Sequence, residues 1–181
     1  ALVAESHQKG SIDQDFKAAI KHIEKKRFFE AYEIFSTLAD QGIPEAQFNL
    51  ALLYSNGLGA PKNYRLALYW SWHAHLNDHE TAINRVMVIY DLIDEKLRNS
   101  LAQTIIDEML SIAQAGDKAA PLKLGKTYLG LFVEAQNQPQ HKVIAALENM
   151  EKLHEEPEEQ SSLESPKNGN LGYRILKWDN R

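Results

Sequence analysis

Gly42-Ile-Pro-Glu-Ala46-Gln-Phe-Asn-Leu50-Ala51-Leu-Leu-Tyr54 is the stretch that decides the fold, because it recurs. Asp78-His-Glu-Thr-Ala82-Ile-Asn-Arg-Val86-Met87-Val-Ile-Tyr90 aligns with it 36 residues later, and Gly116-Asp-Lys-Ala-Ala120-Pro-Leu-Lys-Leu124-Gly125-Lys-Thr-Tyr128 aligns after a further 38. Ala46, Ala82 and Ala120 share one column, and Tyr54, Tyr90 and Tyr128 another. Each alanine is followed four residues on by a branched aliphatic (Leu50, Val86, Leu124) and four later by tyrosine, so all three lie on one face of a helix. A small residue there lets a neighbouring helix approach closely.

The segments between the copies have helical period too. Leu66, Ala67, Tyr69, Trp70 and Ala74 make one stripe; Leu101, Ala102, Ile105, Met109, Ile112 and Ala113 make another; Val143, Ala146, Leu147 and Met150 make a third. The unit is therefore a helix pair. Such a pair cannot bury both apolar faces alone, so pairs must stack, and stacking with a constant small rotation makes a curved array. Ahead of the first copy, Phe16, Ala19, Ile20 and Ile23, then Phe28, Ala31, Tyr32, Phe35, Leu38 and Ala39, predict an atypical leading pair. Ser11 and Gln14 have capping-box spacing and predict a helix start near residue 12. The link Asn56-Gly-Leu-Gly-Ala-Pro61 has glycines able to leave a helix and a proline that stops it. In the second unit the link shrinks to about Asp91–Asp94; in the third it lengthens through Ala135-Gln-Asn-Gln-Pro139.

The expected organisation is an all-α solenoid of three to four antiparallel helix pairs over 1–156: a leading pair at 11–41 and repeats at about 42–77, 78–115 and 116–156. A linker and tail at 157–181 follow, mostly irregular. Residues 157–170 have the composition of a linker. Leu171-Gly-Tyr-Arg-Ile-Leu-Lys-Trp178 is apolar again and suits docking on its own body, edge pairing or capture by a partner.

Glu45-Ala-Gln-Phe-Asn-Leu-Ala-Leu-Leu-Tyr54-Ser-Asn-Gly-Leu-Gly59-Ala-Pro-Lys-Asn-Tyr64-Arg-Leu-Ala67-Leu-Tyr-Trp70 closely resembles the Sel1-like repeat, whose units read approximately AEAQYNLGxxYxxGxGVPxDYxKAxxWY. The later copies keep the Ala and Tyr columns and lose the glycine turn. The copy that starts at Asp78 is similar to the closing variant of many bacterial arrays, with Leu97–Ile106 extending into a long helix. The resemblance implies a right-handed α-solenoid, related to the tetratricopeptide class, acting as an adaptor. The family has no shared catalytic residues, so none is carried over.

Composition narrows the alternatives. The 181 residues suffice for one domain or one short array. A net charge of −5, from 20 basic and 25 acidic residues, argues against a protein that neutralises many phosphates, so nucleic acid is not an expected partner. The absence of cysteine excludes disulfides, thiolate metal sites and a cysteine nucleophile. No window approaches the ~18–20 consecutive apolar residues of a membrane-spanning helix. Residue 1 is Ala, which with the resemblance sets an expectation of a removed export signal and a periplasmic or secreted bacterial protein, a cytoplasmic one being the alternative.

No catalytic constellation is local in the sequence. Asp107-Glu108, Glu155-Glu156 and Glu158-Glu159 are adjacent pairs that diverge by about 100° on a helix. Gly57-Leu-Gly59 follows a helix and precedes a proline, unlike a dinucleotide loop, which follows a strand. His73, His75 and His79 form the densest group of possible ligands, and His75 and His79 are four apart, but Asn77-Asp78 falls at the turn between units. No metal, cofactor or catalytic residue is assigned. Lys9, Lys17, Lys21, Lys25, Lys26 and Arg27 make the start basic; Glu148–Glu159 makes the far end acidic.

The expected activity is binding of another protein or an extended peptide. Candidate contact residues are Glu45, Gln47 and Asn49 in the first copy, Asn84 in the second and Lys123 in the third, turned away from the packing columns. Trp72 with His73 is the candidate exposed aromatic anchor, Trp70 being the repeat's structural aromatic. Phe28, Phe29 and Phe132 are expected in the core. A rival reading is glycan or peptidoglycan binding or hydrolysis, with Trp72 as stacking platform and two carboxyl groups converging at about 5–9.5 Å. Another is an assembly factor using its C-terminal segment.

Overall fold

A computed structural model describes residues 2–131, with side chains described from residue 10 onward. Among these residues there are seven helices and no strand: α1 (Leu2–Glu24), α2 (Phe28–Asp40), α3 (Pro44–Asn56), α4 (Tyr64–Leu76), α5 (Ala82–Tyr90), α6 (Glu95–Gln114) and α7 (Ala120–Leu131). None of them is long and apolar enough to cross a membrane. The link at Ala135–Pro139, the stripe at 143–150, Phe132, the acidic run Glu148–Glu159 and everything from 157 onward lie outside the described residues.

The chain folds as an all-α array in which each helix packs mainly on its neighbours: α1 on α2, α2 on α3, α3 on α4, α4 on α5, and α6 on both α7 and α4. Two apolar clusters run along it. Phe16, Ala19, Ala31, Phe35, Leu38, Ala46, Leu50 and Leu53 fill the first. Leu68, Trp72, Leu76, Val86, Ile89, Leu101, Ile105, Met109 and Leu131 fill the other. Ala46 and Ala82 are fully buried and Ala120 is 1% exposed, so the alanine column does admit close neighbours.

One backbone device joins successive pairs. Gly42, Asp78 and Gly116 all have left-handed φ, at +81°, +65° and +96°. The following amides reach back five residues, Ile43 to the Leu38 carbonyl (3.2 Å), His79 to Ala74 (2.9 Å) and Asp117 to Ile112 (3.2 Å). This 6→1 closure satisfies a carbonyl left open at a helix end and turns the chain sharply. Lys26, φ +56°, makes the same closure between α1 and α2, with Arg27 N–H donating to the His22 carbonyl at 2.8 Å.

Within pairs the links differ. Between α3 and α4 the chain returns through Gly59 (φ +74°), where a Cβ would overlap the Phe28 carbonyl oxygen of α2. That glycine lets the link lie against the preceding pair. Asn63 then caps α4, its side chain accepting from Leu66 N–H at 3.0 Å. Between α5 and α6 the link is Asp91–Asp94, and Asp94 caps α6 by accepting from Leu97 N–H at 2.8 Å.

Some sequence expectations fail here. α1 runs through Ser11 without a break, so Ser11 and Gln14 cap nothing. Their spacing arises inside a continuing stripe, Ile12, Phe16, Ala19, Ile20 and Ile23. Phe28 packs on the first cluster, but Phe29 is 61% exposed, since its neighbour at 100° around the helix takes the inward position.

Candidate functional site

α4 divides the site in two, because its residues alternate between opposite sides of the array. Tyr69, Trp70, His73 and Asn77 share one side by their i, i+4 spacing; Trp72 and His75 point the other way. On the first side, α4 and α6 with the starts of α3 and α7 enclose an open cleft of about 510 Å³, lined among others by Asp40, Gln47, Glu108, Ser111 and Lys123.

Two polar networks build this cleft. In one, Gln47 Nε2 donates to the Ala39 carbonyl (3.2 Å), Asn77 Nδ2 donates to Gln47 Oε1 (2.9 Å), and Lys123 Nζ donates to Asn77 Oδ1 (2.7 Å). The chain of bonds thus ties α2, α3, the end of α4 and α7. In the other, Tyr69 OH donates to the Glu108 carboxylate (3.0 and 3.1 Å), and His73 Nε2 stands 3.3 Å from Glu108 Oε2. Tyr69, Trp70 and His73 form an aromatic cluster beside it, with ring centroids 4.4 Å apart for Tyr69 and His73 and 5.0 Å for Tyr69 and Trp70.

Electrostatics follow from this geometry. Burial by itself would raise the Glu108 pKa, but the hydrogen bonds from His73 and Tyr69 and the charges of His73 and Arg65 outweigh it and leave it below the usual carboxylate range. Tyr69 moves up, because of burial and then the Glu108 charge, so its hydroxyl keeps its proton and donates. The cleft therefore presents a persistent carboxylate, an ammonium group and a half-buried indole, at separate points of one surface.

The predicted contact residues divide between several places. Gln47, His73 and Lys123 meet in the cleft. Gln47 is 3% exposed and both ends of its amide are engaged within the chain, so it positions the wall rather than offering itself to a partner. Asn49 donates to the Glu45 carbonyl within its own helix (2.8 Å). Glu45 is half-buried in the first turn of α3, near enough for its charge to act on His79. Asn84 is exposed on α5, away from the cleft.

Trp72 is the clearest correction. It is not an exposed anchor: it is 3% exposed, and its Nε1–H donates to Thr127 Oγ1 at 2.9 Å. α7 covers it, and a Cβ on Gly130 would overlap the indole. The stacking platform expected for a glycan is therefore core. Trp70 is half-buried and lines the cleft, so the two tryptophans exchange the roles expected of them. The sequence holds the signal, since Leu68, Trp72 and Leu76 make an i, i+4, i+8 stripe, all buried. Sequence reasoning misses Tyr69, Trp70 and Glu108 as site residues, because Glu108 joins Tyr69 only across 39 residues.

The histidines separate. The helix ends at Leu76, and His79 stacks on Phe48 with centroids 4.3 Å apart and 14° between planes, while His75 tilts against Trp72 at 5.1 Å. No group of three or more His, Cys, Asp or Glu suited to a metal occurs among the described residues.

The Sel1 repeat family model matches residues 1–25 and 44–71. The later segment falls on α3, its glycine link and the first half of α4; the earlier falls on α1, in what the sequence pattern marks as an atypical leading pair. No curated protein matches in sequence. Among solved structures, a Sel1 repeat protein from Oxalobacter formigenes is similar at 22% identity over 70% of this chain, with a TM-score of 0.29; the chain spans 46% of that protein's length. The likeness read from residues 45–70 is thus borne out by the family model, and the chain carries Sel1-like repeats.

Proposed function

We propose that this chain is a non-catalytic adaptor that holds an extended segment of another protein in the cleft between α4 and α6. The observation that carries the reading is the juxtaposition of Trp70, Glu108 and Lys123 on one open, rigidly braced surface. An extended backbone offers N–H and C=O groups on alternating sides. Glu108 and Asp40 accept from the former, Lys123 donates to the latter, and Trp70 supplies an apolar face for one side chain. Because the bonds through Gln47 and Asn77 fix the wall before binding, little entropy is lost on association. Sel1 repeats are in general protein-interaction modules, which supports this reading, as does the placement of the matched segment on α3 and α4.

The test is affinity capture with the wild type and with Trp70→Ala combined with Glu108→Gln. The expected result is one protein retained by the wild type and lost by the variant while thermal unfolding of the two stays within a few degrees. Capture of the same proteins by both would refute the assignment of the cleft. An exported, periplasmic location is part of the proposal, checked by fractionating cells that express the natural protein.

A further inference from the structure

The cleft between α4 and α6 holds an uncompensated charge. Asp40 is the last residue of α2, where the carbonyl end of the helix dipole disfavours an anion. No cation offsets it: the carboxylate is exposed, and among the described residues it accepts no hydrogen bond and forms no ion pair. Glu108 enters the same space from α6. Tyr69 and His73 hold it from one side, but its side chain is 37% exposed, and a carboxylate has about four acceptor positions, so lone pairs are left over. Beside Tyr69, with ring centroids 5.0 Å apart, the half-buried indole of Trp70 lines the same cleft.

The local field is negative. The Tyr69 hydroxyl, raised first by burial, is raised further by the charges of Glu108 and Asp40, and the opposing charge of Arg65 counts least. Basic side chains nearby are turned to other acceptors: Lys123 Nζ donates to Asn77 Oδ1 at 2.7 Å, and Arg65 stands 3.5 Å from Thr104 Oγ1.

We propose that this part of the cleft receives an arginine side chain of the bound segment, its guanidinium lying over Trp70 and donating to Asp40 and Glu108. This rests on the cleft being a site for an extended segment, and it fixes the class of that segment as basic. A guanidinium suits all three groups. It is planar, stacks on an aromatic face and carries five N–H donors in a fixed fork, so one group can serve two carboxylates from one position. A segment with a neutral side chain at this point would cover Asp40 and Glu108 and leave both desolvated without a partner, and an acidic one would add repulsion. The same groups that favour arginine therefore reject other segments.

Two blocked peptides test this on the full chain: Ala-Ala-Arg-Ala-Ala, and the same peptide with citrulline, which keeps the shape of arginine and loses its charge. Each is titrated while the indole N–H resonance of Trp70 is followed by NMR, the signal being assigned by its loss in Trp70→Phe. The arginine peptide should move it with a Kd about tenfold below that of the citrulline peptide. The signal of Trp72, which α7 covers, should stay in place. Asp40→Asn changes an exposed position outside the core and should erase most of the preference, as should Glu108→Gln. Asp91→Asn removes an equal charge at the end of α5 and should keep it. Equal Kd values at Trp70 for the two peptides would overturn the arginine site and leave the cleft as a segment site. No shift of Trp70 with either peptide would overturn both. A preference lost equally in Asp91→Asn would be attraction to the net charge of −5 and would overturn the arginine site.

Discussion

The first complete unit, α3–α4, and the next, α5–α6, share the alanine column and the left-handed turn that leads into each, yet they pack differently. α3 has 13 residues and buries Ala46, Leu50 and Leu53, with Tyr54 hydrogen-bonded to Tyr32 of the preceding pair at 3.0 Å. α5 has nine, buries Ala82, Val86 and Ile89, and leaves Met87 and Val88 in solvent. The difference begins in the links. Gly59 lets the first link settle on α2, so that unit is held to its neighbour by both helices and link; the Asp91–Asp94 link caps α6 and sends Ile93 into the second apolar cluster instead. The shorter link thus reaches the core through an apolar side chain, and the longer one lies on the preceding pair through a glycine.

Replacing a tryptophan on either side of α4 tests this division most severely. Trp72→Ala should lower the unfolding free energy by about 3–5 kcal/mol, as for other buried aromatics, and also leaves Thr127 without its donor. Trp70→Ala, at the rim of the cleft, should cost about 1 kcal/mol or less. Urea titration of the two variants reads the contrast directly. Equal losses would mean that the two sides of α4 are equally packed.

The glycines sharpen the comparison of the links. Gly59→Ala combines a left-handed φ with overlap on a backbone carbonyl that has nowhere to move, and should cost about 3 kcal/mol. At Gly42 and Gly116 a Cβ meets nothing within 4 Å. Alanine there should cost about 1–2 kcal/mol, the backbone term alone. A similar loss at all three positions would remove the argument that the first link is a packing element. The α5–α6 unit has Asp78 in the same column. Asp78→Gly relieves that backbone strain and should add about 0.5–1 kcal/mol, read as a rise in Tm.

The turn column is legible in the sequence because it is local. Gly42, Asp78 and Gly116 stand in register with the alanines, and the same closure follows each of them. The all-α array is equally legible, since each stripe among the described residues names its own helix. The tryptophans are not, for two reasons. The resemblance assigns the structural role to Trp70, and the apparent helical stripe runs through Leu66, Tyr69 and Trp70 rather than through Leu68, Trp72 and Leu76. What decides between those stripes is α7, whose Thr127 is 55 residues from Trp72. Gln47 misleads in the same way: a polar side chain on a helix reads as exposed until Asn77, 30 residues away, is seen to satisfy it. Contacts across units set both, and a repeat pattern specifies that units stack without saying which polar groups meet.

The smallest expected effect is in pH dependence, and it also separates the units. Burial lowers the pKa of His79 from 6.5, against the opposing charges of Glu45 and Glu80, and burial with Lys126 lowers that of His75. Both rings therefore bind a proton less readily in the folded chain than in the unfolded one. Stability from this source is complete above about pH 6.5 and falls as pH drops from there through the depressed folded values. Glu108 has the same sign but acts lower, from its ordinary value of 4.5 downward, so a titration between pH 7.5 and 5 reports the histidines. His79→Phe keeps the stacking on Phe48, which joins the turn of the α5–α6 unit to α3 of the one before, and removes one titrating group. The variant should lose less stability than the wild type on acidification over that range, measured as the shift in urea midpoint, with His75 accounting for part of what remains. An unchanged slope would show that this contact between the units is indifferent to protonation.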